Sequence, residues 1–326
     1  MNYVCIVGYG AIGPVHIQAL EKVNNAVFYA VCDNDPKKLA LCEKNNKDVK
    51  LYSDFDIMLL DDKITSVHIC TPHYLHFEMA KKAIKAGKDV VLEKPVTMLP
   101  CEYESLKKLC DESEKRVCIM LQNRTVNSVQ EMKKLSQELG KIKGAYASLT
   151  WCRDMSYYNH DKWRGKYLTE GGGVLINQAI HLLDMVLYIC GDAESVNASA
   201  STKLLNIEVE DTLDALITLK NGARVCFYAT NTYVETSPLR FEVVFENVIL
   251  RYEDKTLYKI VNDDIEIIAK DNMNYHGKPC WGNGHDNVIN AFYNNEEYPT
   301  ICDADSTMKT LFAIYESVNK GENVIV

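Results

Sequence analysis

The stretch Tyr3 to Gly13, YVCIVGYGAIG, constrains this chain more than any other. Tyr3 to Val7 is a short apolar run rich in β-branched residues and stopped by Gly8, which reads as a buried strand. Gly8, Gly10 and Gly13 then form G-x-G-x-x-G. Ile12, Val15, His16, Ala19, Leu20 and Val23 follow at i, i+3, i+4, i+7, i+8 and i+11, the spacing of one helix face. A strand that passes through such a turn into a helix aims bare backbone N–H groups at whatever sits before the helix, which suits a pyrophosphate. A second apolar run, Ala26 to Cys32, ends in Asp33, 20 residues beyond Gly13. An acidic residue at that offset is placed to accept hydrogen bonds from an adenosine ribose. Strand, turn, helix and acid together predict a dinucleotide site.

The remaining chain extends this start into two domains. Strand-like and helix-like segments alternate up to about Leu121: Asp35 to Lys44 helical, Ile64 to Cys70 strand, Leu75 to Ala86 helical, Asp89 to Leu92 strand, Pro100 to Ser113 helical, Val117 to Leu121 strand. This alternation specifies a doubly wound parallel sheet with helices on both faces, over 1–121. From 122 to 326 the texture is α+β. A helix is expected over Val126 to Leu139. Strands are expected at Ala145 to Trp151, Val196 to Ala200, Leu213 to Leu219, Arg224 to Thr230, Phe241 to Phe245 and Val248 to Tyr252, with hairpin turns such as Asn221-Gly222. Helices from about Val174 to Cys190 and Asp305 to Asn319 complete it, and the last is expected to pack back on the first domain. The second domain is thus a large, mostly antiparallel open sheet that binds substrate and carries the contacts between subunits.

Composition narrows the partners. A net charge of −9 without any block of like charges argues against nucleic acid. No uninterrupted apolar run reaches the roughly 20 residues that span a bilayer, and the N-terminus enters a strand without a signal-type segment. The 12 cysteines show no C-x-x-C, and Cys5, Cys32, Cys70 and Cys118 fall in expected core strands, which fits a reducing cytoplasm.

Two further stretches carry chemistry. In GKDVVLEKP, Lys94 lies just past the carboxyl end of a parallel strand, where open α/β sheets bind ligands, and Pro95 holds it off helical geometry. In EGGGVLINQAIHLLD, Asn177 and His181 are four apart on one helix face, Asp184 follows three later, and the glycines before the helix allow a close approach.

With GYGAIG and Asp33, TPHYLH from Thr71 to His76, AGKDVVLEKP to Pro95, GGGVLINQAIHLLD and AIYESVNKG, the chain resembles the Gfo/Idh/MocA oxidoreductases (glucose–fructose oxidoreductase, inositol dehydrogenase and relatives) along nearly its whole length. The resemblance implies NAD as cofactor, contacted by Gly8, Tyr9, Gly10, Ala11, Ile12, Gly13, Asp33, Asn34, Thr71, Pro72, His73, His76, Glu93, Lys94 and Asn123. It makes Lys94 and His181 the catalytic residues, and it places substrate among Arg153, Trp163, Arg164, Asn177, Gln178, His181 and Lys94. His68, Cys70, His73 and His76 cluster in sequence. The first two fall on a strand and the others in the cofactor loop, so no metal is expected. Many members carry aspartate where this chain has Asn177. Asparagine orients a hydroxyl but does not titrate, and Asn177→Asp should keep activity if the residue only holds substrate.

The implied activity is dehydrogenation of a ring hydroxyl in a sugar, cyclitol or nucleotide sugar, with His181 as base and Lys94 polarising the hydroxyl. The alternatives are a redox-neutral glycoside-cleaving enzyme that oxidises the sugar transiently with bound NAD, and a non-catalytic dinucleotide or sugar sensor. Asp33 favours NAD over NADP, with Lys37 and Lys38 expected a helical turn away. About half a dozen strands with one or two covering helices leave a sheet face to be covered, so a homodimer or homotetramer is expected.

Overall fold

A computed structural model describes residues 1–271 and 282–326. The chain divides by contact into two compact units, one holding 1–122 and 282–304, the other 123–271 and 305–326 among the described residues.

The first unit runs β1 (Asn2–Val7), α1 (Gly13–Leu20), β2 (Ala26–Cys32), α2 (Pro36–Asn45), β3 (Lys50–Tyr52), α3 (Phe55–Leu59), β4 (Ser66–Ile69), α4 (His76–Lys85), β5 (Asp89–Leu92), α5 (Pro100–Asp111) and β6 (Val117–Ile119). All six strands are parallel, in the order β3-β2-β1-β4-β5-β6. Their near-continuous apolar sequences follow from burial on both faces: Val4, Cys5, Ile6, Val67, Ile69 and Val90 to Leu92 are fully buried. The chain order reverses between β1 and β4, so the ends of β1, β2, β4 and β5 open onto a topological switch point, where such sheets bind ligands.

Gly284–Asn294, a helix after the second unit, packs against α1. Tyr103 Oη donates to the Ile301 carbonyl at 2.9 Å, and Ile119 N donates to the Pro299 carbonyl at 2.8 Å. The sequence alone assigns this returning segment to the second domain. It carries no motif that reveals its partner, only a helical period that fits either surface.

The second unit runs α6 (Asn127–Glu138), β7 (Gly144–Thr150), α7 (Met155–His160), α8 (Tyr167–Glu170), a π-helical segment (Leu175–Ala179), α9 (Ile180–Cys190), β8 (Ala193–Ser201), β9 (Thr212–Leu219), β10 (Arg224–Thr230), β11 (Arg240–Val244), β12 (Ile249–Glu253), β13 (Thr256–Val261) and β14 (Asp264–Lys270). With Gly284–Asn294 taken as α10, α11 (Asp305–Lys320) and β15 (Val324–Ile325) close it. Nine strands order as β14-β13-β12-β11-β7-β10-β9-β8-β15, antiparallel except between β7 and β10. The β9–β10 hairpin turns at Asn221-Gly222, where Gly222 has φ +83°. β13 (TLYKIV) and β14 (DIEIIAK) go beyond the strands expected from the sequence, although the β-branched run of the first and the alternation at the start of the second are strand signals. Three helices, α6, α9 and α11, pack on one sheet face, more than the one or two expected, and α11 lies against β8 and α9.

Among the described residues, Tyr167–Cys190 is the stretch apolar enough in length and composition to cross a bilayer, and 89% of its most apolar window is buried in the protein. Eleven described cysteines are free, with Cys5, Cys32, Cys70 and Cys118 buried as expected.

Candidate functional site

In the first unit the three motif glycines serve different ends. Gly8 has φ +96°, and a Cβ there would lie 2.6 Å from the Cys70 carbonyl oxygen. A Cβ on Gly13 would lie 2.5 Å from the Gly8 carbonyl oxygen. Both are demanded by packing of the turn on β4 and on itself. A Cβ on Gly10 meets no atom of the described residues within 4 Å, so none of their contacts requires glycine there. A backbone left bare without internal cause fits a ligand that must come close.

The Asp33 carboxylate is held by the backbone: Oδ2 accepts from Tyr9 N at 2.8 Å and Oδ1 from Asp35 N at 2.9 Å. Its remaining lone pairs suit a ribose hydroxyl. Lys38, expected a turn away, reaches to 3.9 Å from Asp33 Oδ2. Asn34 and Ala11 are exposed, whereas the Tyr9 side chain is buried in the core and Ile12 packs on it. Thr71 Oγ1 is shielded from solvent and has no hydrogen-bond partner among the described residues, a second feature that fits a bound cofactor. His73 is buried, and Pro72 is half-buried at the start of a 3-10 turn. His76 is committed to the scaffold: Nδ1 lies 2.7 Å from the Pro95 carbonyl and Nε2 2.9 Å from that of Thr71, tying the two loops together. Burial lowers its pKa, against those two bonds.

Beneath Lys94 lies a buried polar chain that the sequence did not announce. Glu93 Oε1 accepts from His16 Nε2 at 3.0 Å and from His285 Nε2 at 3.1 Å, and Oε2 accepts from the Lys94 backbone N–H at 3.2 Å. His16 Nδ1 lies 2.9 Å from His68 Nδ1, His68 Nε2 2.8 Å from Tyr293 Oη, and Tyr293 Oη 2.8 Å from Ser66 Oγ. One proton arrangement satisfies the line: Ser66 donates to Tyr293, Tyr293 to His68, His68 to His16, and His16 to Glu93. Burial would raise the Glu93 carboxyl, but the hydrogen bonds from His16 and His285 outweigh it and hold it well below the usual range. Burial keeps His16 and His68 neutral. The donor atoms of His16, Glu93 and His285 come within 4.8 Å of one another, a spacing a metal ion can span. Both imidazoles reach the carboxylate through Nε2 without one, while His285 Nδ1 is shielded from solvent with no hydrogen-bond partner among the described residues.

In the second unit the glycine run is explained by its own neighbours. A Cβ on Gly172 would fall on the Tyr315 hydroxyl, and one on Gly173 on the Glu210 carbonyl. The Glu210 carboxylate accepts from Gly173 N at 2.8 Å, Leu175 N at 3.1 Å and Tyr315 Oη at 2.9 Å, capping the helix that follows. That helix begins with the π-helical turn Leu175–Ala179, a distortion frequent at functional sites. Asn177 and Gln178 sit on it, and His181 follows, half-buried, in the first turn of α9. Asp184 is structural. It is buried and paired with Arg124 at 2.9 and 2.6 Å, and it also accepts from Thr307 at 2.8 Å. Asn123 precedes that arginine, its amide 3.5 Å from Met185 Sδ.

Three of the residues assigned to substrate gather on Tyr157, which the sequence reading missed. The Arg164 guanidinium donates to Tyr157 Oη and lies 4.3 Å from its ring centroid and 4.8 Å from that of Trp163. Arg153 lies 5.3 Å from the same ring and 4.8 Å from that of Trp151. Gln178 Nε2 donates to Tyr157 Oη at 3.0 Å, and Gln178 Oε1 accepts from Asn231 Nδ2 at 3.0 Å. Asn177 Nδ2 donates to Glu170 Oε1 at 2.5 Å. Tyr157 and Asn231 carried no signal in the sequence, because each is polar in a segment without period. Glu170 stood in the motif without a role.

A six-stranded parallel sheet with this glycine turn and this anchored acid defines a Rossmann-type dinucleotide-binding protein. Joined to the α+β unit, it is also a recognisable family: the chain belongs to the Gfo/Idh/MocA oxidoreductases. The profile described as oxidoreductase family, NAD-binding Rossmann fold, matches residues 3–121, and that of the GFO/IDH/MocA C-terminal domain matches 129–251. An oxidoreductase of Synechocystis is 30% identical over 67% of this chain, and a myo-inositol 2-dehydrogenase of Thermotoga maritima 26% identical over 67%. The matches span 62% and 65% of those two relatives. The WlbA dehydrogenase of Bordetella pertussis, solved with NADH and UDP-GlcNAcA, is 27% identical with a TM-score of 0.86, covering 99% of this chain and 98% of that one.

Proposed function

We propose that the chain is an NAD-dependent dehydrogenase acting on a ring hydroxyl of a sugar, cyclitol or nucleotide sugar. The observation that carries the reading is Gly10, bare without structural cause in a turn whose other glycines are packed, beside an Asp33 carboxylate anchored by two backbone donors. Gly8, Gly10, Gly13, Asp33 and Thr71 hold the cofactor, which when bound supplies the hydride acceptor. Lys94 polarises the substrate hydroxyl, held in place by the backbone bond from Lys94 to the ionised Glu93. His181 takes the hydroxyl proton, since an imidazole titrates near neutrality. Asn177 and Gln178 read neighbouring hydroxyls. A site of several hydrogen-bonding groups discriminates strongly against simple alcohols that leave those groups unpaired. That the myo-inositol enzyme and the UDP-GlcNAcA-bound dehydrogenase are both relatives supports a polyhydroxylated ring.

The active form is a homodimer or homotetramer in a reducing cytoplasm. The sheet face turned from α6, α9 and α11 carries a register row, Tyr258, Arg251, Glu242, Tyr146, Cys226 and Leu216, in which Tyr146 is 40% and Leu216 36% exposed. The exposed Tyr146, Cys226 and Leu216 beside the Arg251–Glu242 ion pair make a mixed, partly apolar open face that favours pairing with a second copy. Incubating the protein with NAD and a panel of sugars, cyclitols and nucleotide sugars, with NADH followed by absorbance, tests the activity. NADH from a ring polyol supports it, and NADH from only short alcohols or hydroxy acids contradicts it.

A further inference from the structure

We infer that Glu170 is a positioning residue of the substrate site, which sets the direction of the Asn177 amide so that its oxygen is the group presented to a substrate hydroxyl. The inference rests on the proposed sugar dehydrogenase reading for its activity readout. Glu170 ends α8, is 1% exposed, and spreads its two oxygens over two donors: Oε2 accepts from Gly165 N at 2.5 Å and Oε1 from Asn177 Nδ2 at 2.5 Å. An ionised carboxylate only accepts, so the Asn177 branch facing it must be the NH₂, and Oδ1 takes the opposite branch of the planar amide. Asn177 sits in the π-helical turn beside Gln178. Gln178 is fixed in a comparable way between Tyr157 Oη and Asn231 Nδ2. The polarity of each amide at this helix turn is therefore dictated from behind by a residue outside the helix.

The charged groups facing Glu170 are Arg164, which favours its ionised form, and Glu210, which opposes it; the phenols of Tyr157, Tyr158 and Tyr315 also feel its charge. Burial pushes the Glu170 carboxyl up to about 7, against the bonds from Asn177 and Gly165. Near neutrality the carboxyl exchanges between an acceptor-only form and one whose O–H would turn the amide round.

The substitutions invert and restore this polarity. Glu170→Gln leaves one side-chain oxygen, which Gly165 N claims. The new NH₂ then faces position 177, and the Asn177 amide turns its nitrogen outward. Asn177→Asp alone sets two carboxylates side by side. In the double variant the introduced glutamine donates its NH₂ to one oxygen of the introduced aspartate, and the other oxygen is again presented as an acceptor.

The test compares wild type, E170Q, N177D and the double variant in kcat/KM with NAD and the best ring polyol, and in thermal midpoint from pH 5 to 8 without substrate or cofactor. Expected are a loss of at least about tenfold in each single variant, the scale of one mispaired buried hydrogen bond, with substantial recovery in the double variant. The loss in N177D replaces the expectation from sequence that a residue merely holding substrate tolerates aspartate, because Glu170 behind Asn177 would then face a second carboxylate. The wild-type midpoint should also fall relative to that of E170Q as pH rises. Wild-type activity in E170Q, or a folded double variant no better than either single one, overturns the inference. If no ring polyol is oxidised by wild type, the functional reading fails on its own. The midpoints still decide the Glu170 charge, and parallel pH dependences in wild type and E170Q overturn it.

Discussion

The sharpest distinction the structure draws is among three glycines of one motif, and alanine at each tests it. At Gly8, alanine must adopt φ +96°, which costs about 1–2 kcal/mol for an L-residue, and its Cβ would sit 2.6 Å from the Cys70 carbonyl, so β1 and β4 must also part. A total of at least ~2 kcal/mol lowers the thermal midpoint by about 4–8 °C for a unit of this size. Gly13→Ala meets the Gly8 carbonyl at 2.5 Å and falls in the same direction. Gly10 has no positive φ and a Cβ there meets no atom of the described residues within 4 Å, so Gly10→Ala restricts the unfolded chain, adds up to roughly 0.4–1 kcal/mol of stability, and leaves the midpoint unchanged or raises it. The same methyl group stands where a pyrophosphate must approach, so NADH affinity should drop at least about tenfold. Differential scanning fluorimetry of the apo proteins and fluorescence titration with NADH separate the two effects. A Gly10→Ala protein that binds NADH as wild type does, or that unfolds as early as Gly8→Ala, refutes the assignment.

Further outcomes follow from the same geometry. Lys94→Ala and His181→Ala should each lower kcat by about 10²-fold or more with the fold intact by circular dichroism, and near wild-type turnover removes that residue from the mechanism. NAD should bind more tightly than NADP, and Asp33→Ser should narrow the gap, because Lys38 at 3.9 Å then faces the ribose without a competing carboxylate; an unchanged ratio by titration contradicts this. Asp184→Ala strands the buried Arg124 charge and should cost about 3–5 kcal/mol in denaturant unfolding. The folded Glu170 carboxyl, at about 7, lies above its ordinary 4.5. Its contribution to stability is full below about pH 4.5 and is lost as pH rises through 7, by ~3 kcal/mol over that gap. E170Q lacks this loss, and calorimetry at pH 5 and 8 measures it.

What was legible in the sequence was whatever a period or a fixed spacing encodes. The parallel sheet was written in runs such as Tyr3 to Val7 and Asp89 to Leu92, and the dinucleotide turn in Gly8, Gly10, Gly13 and Asp33. The hairpin at Asn221-Gly222 was readable because its glycine supplies the positive φ. What stayed hidden were partnerships between distant residues of opposite polarity. Nothing local to His16 or His285 says that both donate to Glu93, and nothing local to Tyr157 says that Arg164 and Gln178 converge on its hydroxyl. The glycine run at Gly171 to Gly173 is plain in the sequence, but its reason lies in Tyr315 and Glu210. Lys38 lies closer to Asp33 than expected because a side chain of that length closes the distance that a helical turn opens.

The central claim is that this chain oxidises a polyhydroxylated ring with NAD, using His181 as the base. The most direct measurement is NADH formation by purified wild type and His181→Ala protein, side by side, with NAD and myo-inositol, hexoses, UDP-GlcNAcA and short alcohols. The account predicts NADH from at least one ring polyol with wild type, a loss of about 10²-fold in the variant, and little from the short alcohols. NADH from none of the rings, or an equal rate in the variant, would contradict it.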